Sequence, residues 1–103
     1  MKVEGYIILT FQFRKKGRRW TAYCEQLGTA TFGRSLPEAQ ARLKEAVLLH
    51  LNTLEDVGER ERFFKENKIT FYSRKPKSTA VNVRAPLYKD TFVRSYLQAV
   101  PTA

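Results

Sequence analysis

The sequence predicts an α+β fold: a three-stranded antiparallel meander, a helix packed on one face, and a fourth strand parallel to the first, in sheet order 3-2-1-4. Three observations carry that expectation. Side chains alternate in polarity through the first third of the chain; a capping box then opens an apolar stripe at helical spacing; a short β-branched and aromatic run follows it.

The elements follow in order. Between Glu4 and Arg14, Ile7, Leu9, Phe11 and Phe13 fall on one face, with Tyr6, Ile8, Thr10, Gln12 and Arg14 on the other. A two-residue period with a half-polar outer face suits an antiparallel sheet covered on one side. Lys15-Lys16-Gly17-Arg18 supplies a hairpin turn. Arg19 to Glu25 alternates again, setting Trp20, Ala22 and Cys24 against Thr21, Tyr23 and Glu25. Gln26-Leu27-Gly28 makes a second turn, and Thr29 to Phe32 a third strand that ends at Gly33.

Ser35-Leu36-Pro37-Glu38 is a capping box, in which the Ser35 hydroxyl accepts from the N–H three residues on and Glu38 reaches back to the Ser35 N–H. Pro37 lies in the first turn, where its missing N–H costs nothing. Ala39, Leu43, Ala46, Val47, Leu51 and Leu54 recur at helical spacing, so a helix is expected to about Val57, broken by Gly58. Glu59 to Lys65 reads as a second short helix, and Ile69 to Tyr72 as the fourth strand. A right-handed crossover would set that strand beside the first and parallel to it.

Residues 1–72 thus form the expected α+β domain, 73–80 a basic linker, and 81–103 a strand–helix tail. In the tail, Val81 to Ala85 alternates, and Pro86 opens a helix with Leu87, Phe92, Val93, Tyr96, Leu97 and Val100 on its apolar side, ended by Pro101. Such a tail has no core of its own, so it is expected to dock on the domain or on another subunit.

Composition narrows the function. The 103 residues are 43% hydrophobic and 28% charged, ordinary globular usage. No apolar run is long enough for a membrane span, and no signal region opens the chain, which points to the cytoplasm. One cysteine (Cys24) and one histidine (His50) exclude a disulfide framework and a Cys/His zinc site, and no cofactor is implied. The net charge of +9 is concentrated at the ends: six basic residues against one acid in residues 1–24, seven against eight in 25–72, and six against one in 73–103. Basic ends around a near-neutral middle point to a polyanion such as nucleic acid.

No catalytic set emerges. Two-metal hydrolysis needs converging carboxylates, yet the first strand offers only Glu4 and Ile69 to Tyr72 none. Cys24 alternates with Trp20 and Ala22 as a buried small hydrophobe does, and no third group would orient a Cys24–His50 pair. Binding residues are better represented. Arg74, Lys75, Lys77 and Arg84 are candidate phosphate contacts, and Asn82 with Arg84 on the tail strand could reach a major groove. The hairpin cations Arg14, Lys15, Lys16, Arg18 and Arg19 read as a solvated tip. Adjacent aromatics on a short helix cannot share one core, so Phe63 and Phe64, with Phe92 and Tyr96 of the tail, are candidate partner contacts.

The blocks Trp20-Thr21-Ala22-Tyr23-Cys24-Glu25-Gln26-Leu27-Gly28, Thr31-Phe32-Gly33-Arg34-Ser35-Leu36-Pro37-Glu38-Ala39 and Leu43-Lys44-Glu45-Ala46 resemble the HicB antitoxin family. The likeness spans about residues 5–72 and rests on several short blocks in the right order and spacing. It implies a degenerate RNase H-like fold and the small protein of a toxin–antitoxin pair. Such a protein forms oligomers, here a dimer or tetramer, blocks a small ribonuclease toxin of HicA type and represses its own operon. Family members often end in a DNA-binding module, and Val81-Asn82-Val83-Arg84-Ala85-Pro86 resembles the start of a ribbon-helix-helix. The acidic middle (Glu38, Glu45, Glu55, Asp56, Glu59, Glu61) would supply charge complementary to a basic toxin. The expectation is therefore a HicB-like antitoxin or orphan regulator that acts by binding; the alternative is a toxin-independent nucleic-acid-binding protein that uses its basic ends.

Overall fold

The computed structural model describes residues 3–76 and 91–101. The chain runs β1 (Val3–Lys16), β2 (Arg19–Cys24), β3 (Thr29–Gly33), α1 (Leu36–Asp56), α2 (Arg60–Glu66) and β4 (Thr91–Pro101). The strands form one sheet in the order β3-β2-β1-β4. Every pairing in it is antiparallel.

β1 is the spine. The end of β1 pairs with β2, from Phe11 opposite Cys24 to Lys16 opposite Arg19. Its other edge pairs with β4 from Val3 opposite Pro101 to Arg14 opposite Thr91. Gly17 turns the β1–β2 hairpin at φ 63°, a conformation glycine adopts without a steric penalty. The alternation predicted for β1 sets the two faces: Ile7, Leu9, Phe11 and Phe13 are at most 1% exposed. They meet Ala39, Leu43, Val47 and Leu51 of α1, together with Ala22, Cys24, Leu27, Phe64, Ile69 and Val100, in one core. Burial of each large apolar side chain contributes about 1.5–3 kcal/mol, which is what holds helix to sheet.

Two residues fix how α1 enters. Ser35 is its N-cap, and its Oγ accepts from the Glu38 N–H at 3.2 Å. The reciprocal half of the expected capping box is not made: the Glu38 carboxylate instead pairs with Arg42 at 3.0 Å. Gly33 lies directly beneath the first turn, where a Cβ would stand 2.6 Å from the Ala39 nitrogen, so β3 and α1 approach as closely as they do only with glycine there.

The fourth strand departs from expectation in identity and in direction. Ile69 to Tyr72 is not a parallel strand; it makes one isolated antiparallel bridge, Tyr6 to Tyr72, with both N–H···O bonds at 2.7 and 2.8 Å. The place beside β1 is taken by residues 91–101, expected to be helical, which run antiparallel to it. An 11-residue strand satisfies far more of the β1 edge than a four-residue run could. The parallel fourth strand expected from a right-handed crossover after α1 is therefore absent from the described sheet, whose order 3-2-1-4 is completed antiparallel. The strand candidate Val81 to Ala85 and the helix start at Pro86 and Leu87 lie outside the described residues.

Beyond the end of β2, β1 keeps its backbone bonded by other means. The Thr10 carbonyl accepts from the Glu25 N–H at 3.0 Å. The Gln26 side chain then takes the place of a strand: its Oε1 accepts from the Thr10 N–H at 2.7 Å and its Nε2 donates to Thr10 Oγ1 at 2.9 Å. Thr10 is fully buried, so these bonds serve groups that have no access to water.

Candidate nucleic-acid and partner interface

Because α1 lies over β2 and β3, the opposite face of the sheet shows what the strand alternation sends outward. The register lines up Arg14, Thr21 and Phe32 in one row across β1, β2 and β3. Gln12, Tyr23 and Ala30 form the next row, and Lys16 with Arg19 the row nearest the hairpin turn. Phe32 is 52% exposed and Tyr23 41%. The Arg19 guanidinium stands 5.4 Å from the centre of the Phe32 ring, a cation–π contact that holds the charge over the aromatic face. On the same side the Glu25 carboxylate accepts from Gln12 Nε2 at 3.4 Å. Tyr23 alternates with Trp20, Ala22 and Cys24, which was a signal for an outward side chain. Phe32 carried none, because Thr29-Ala30-Thr31-Phe32 reads as if Ala30 and Phe32 faced inward, and only the register opposite Thr21 turns it out.

β4 adds to the basic end from the helix side. Phe92, opposite Phe13, is 47% exposed and its ring lies 5.7 Å from that of Trp20. Arg94 follows on the same face, opposite Phe11, and is exposed. Tyr96 stacks on Phe11 at 4.8 Å and sits under Lys44 Nζ at 5.1 Å. Two of the four partner candidates thus belong to β4, where Phe92 leaves much of its ring in water and Tyr96 is spent largely on packing.

The other two divide as adjacent aromatics must. Phe64 is 5% exposed, in the core and stacked toward Phe71 at 6.4 Å, while Phe63 is half-buried with its ring 5.3 Å from that of His50. His50 Nδ1 also shares a hydrogen bond of 3.2 Å with Thr29 Oγ1, so the single histidine links α1, α2 and β3. The phosphate candidates Arg74 and Lys75 are exposed, just past the Tyr6–Tyr72 bridge. Lys77, Asn82 and Arg84 lie outside the described residues.

One cleft, of about 260 Å³, opens where α2 meets the start of β1, lined by Glu4, Arg60, Phe64, Ile69 and Phe71 among others. Arg60 is buried there and ion-paired with Glu4 and, at 2.9 Å, with Glu55. This pairing ties α2 and the end of α1 to the first strand. Cys24 is fully buried, and burial pushes its thiol from the ordinary 9.0 up to about 11. A nucleophilic cysteine needs the opposite shift. Among the described residues no group of His, Cys, Asp and Glu is placed to hold a metal ion, and no helix is long and apolar enough to cross a membrane.

No family model, curated protein or solved structure matches the chain.

Proposed function

We propose that the protein is a HicB-like antitoxin, or an orphan regulator of that kind, which acts by stoichiometric binding and not by catalysis. The observation that carries this is how the residues of the resemblance are used. They form one continuous unit: β2, the turn in which Gln26 clamps Thr10, β3 ending at Gly33 beneath Ala39, and Ser35 capping α1. Each of these residues serves the scaffold. The partner would be a small basic ribonuclease toxin of HicA type, met by the acids of α1 and α2, with the protein's own operator DNA as a second target.

The test is a tagged pull-down from native cells after nuclease treatment. A stoichiometric small basic protein whose RNA cleavage stops on adding the tagged protein back is expected for an antitoxin. For the orphan form, the purified tagged protein, in a separate binding step without nuclease, should retain an added DNA fragment from upstream of its own coding region. Recovery of the protein alone, with no retention of that fragment, overturns both forms.

A second reading, toxin-independent nucleic-acid binding, is favoured by the concentration of Arg14, Lys15, Lys16, Arg18 and Arg19 at one end of the sheet beside the exposed Phe32. Phosphate contacts of that kind give salt-sensitive binding.

A further inference from the structure

We infer that the face of the sheet opposite α1 binds single-stranded nucleic acid, with Tyr23 and Phe32 as stacking surfaces for bases, Arg14 and Lys16 as contacts to the phosphates, and Arg19, which rests over the Phe32 ring in the free chain, shifting to a phosphate as a base takes its place. This rests on the second reading above and names its ligand and its site. Three observations carry it.

The first is the position of the rings. Phe32 is opposite Thr21, two residues from Tyr23 on β2, so the two aromatics are diagonal neighbours on one face of adjacent strands. Diagonal neighbours on a sheet stand about 7–8 Å apart, near enough for one short stretch of chain to reach both. The second is exposure. About half of the Phe32 ring residue and two-fifths of Tyr23 remain in water, although the alternate positions Ala22 and Cys24 on the same strand are sealed beneath α1. The third is charge on the same face. Lys16 and Arg19 form the row next to the hairpin turn, and Arg14 shares a row with Phe32.

Together these select the ligand. Aromatic rings lying on a sheet, interleaved with cations, fit bases whose faces are free, because every base has a π surface and every linkage a charge. A duplex keeps its base faces stacked inside and offers edges only in grooves. A four-stranded sheet face is too broad to enter the major groove, about 12 Å wide, so duplex binding here would be through phosphates alone. The preference for single strands therefore comes from the rings, and the salt dependence from the cations.

The test uses the full chain and fluorescence anisotropy with a labelled 16-nucleotide oligothymidine and a 16-base-pair duplex at matched salt. The single strand is expected to bind at least tenfold tighter than the duplex. Phe32→Leu combined with Tyr23→Leu should weaken single-strand binding about tenfold or more and leave duplex binding unchanged, since stacking is lost and charge kept. Lys16→Gln with Arg19→Gln should reduce the slope of log affinity against log salt by about 1.4 for the single strand. All four side chains are on the face opposite α1, and an unchanged melting temperature checks that each variant is folded. Equal binding of both probes, unaffected by the aromatic substitutions, overturns this inference and leaves charge-driven binding standing. Failure to bind either probe overturns both, as does a protein partner that the aromatic variant releases while the wild type ignores the oligonucleotides.

Discussion

Gln26→Ala tests the clearest structural claim, that one side chain replaces a strand beside Thr10. Gln26 Oε1 accepts the Thr10 N–H at 2.7 Å, and Gln26 Nε2 donates to Thr10 Oγ1 at 2.9 Å, at a residue with no exposed surface. Truncation leaves a buried amide without an acceptor and removes a second hydrogen bond. An orphaned buried donor costs about 1–3 kcal/mol and a lost hydrogen bond about 1, so a loss of about 2–3 kcal/mol is expected. In a domain of this size that corresponds to a fall in Tm of about 10–20 °C. Urea unfolding of Gln26→Ala, Thr10→Val and the double variant reads the effect as a cycle. Thr10→Val removes the hydroxyl but keeps the N–H bond to Gln26, so a coupling of about 1 kcal/mol is expected between the two sites. A loss below about 0.5 kcal/mol for Gln26→Ala would refute the reasoning, because water would then be serving the Thr10 amide as well as the side chain does.

The direction of β4 and the state of Cys24 give two more expectations. Tyr6 and Thr10 turn their backbone N–H and C=O away from β4, toward Tyr72 and toward Gln26 and Glu25, and Ile8 shares their parity, so Ile8 and Leu97 form a close, non-hydrogen-bonded pair. Ile8→Cys with Leu97→Cys should therefore oxidise to an intramolecular disulfide under mild conditions, leaving only the native Cys24 to titrate in denaturant; three thiols still titrating after oxidation would refute the antiparallel register. For Cys24, burial raises the folded-state pKa from 9.0 to about 11. The thiol stays protonated in the folded chain where the unfolded chain ionises, so its contribution to stability is present below pH 9 and lost as pH rises toward 11. The stability of Cys24→Ala should fall less steeply over that interval than the wild type's; parallel curves would exclude the effect.

Local physics made β1, β2, β3 and α1 legible. The two-residue alternation of Ile7, Leu9, Phe11 and Phe13, the glycine turns, and the Ser35 cap with its apolar stripe are decided within a few residues of each other. The alternation of β2 likewise sends Tyr23 outward, but in Thr29-Ala30-Thr31-Phe32 the polarity would turn Phe32 inward, and only pairing opposite Thr21 on the face away from α1 exposes it. Gln26 carried no sequence signal, since its partner Thr10 is sixteen residues away.

The fourth strand is where sequence and tertiary structure part. Phe92, Tyr96 and Val100 are spaced by four, a separation that keeps side chains on one side of a helix and also on one face of a strand. Val93 and Leu97 repeat that spacing on the other face of the sheet and blur the alternation that would have marked a strand. Sequence by itself therefore determined which residues of 91–101 are apolar, and the open edge of β1 determined their conformation. A 14-residue strand must have its backbone groups paired along both edges, and the Tyr72 bridge, the Gln26 clamp and β2 serve one edge. Only the assembled sheet leaves the other edge free for 11 residues to complete.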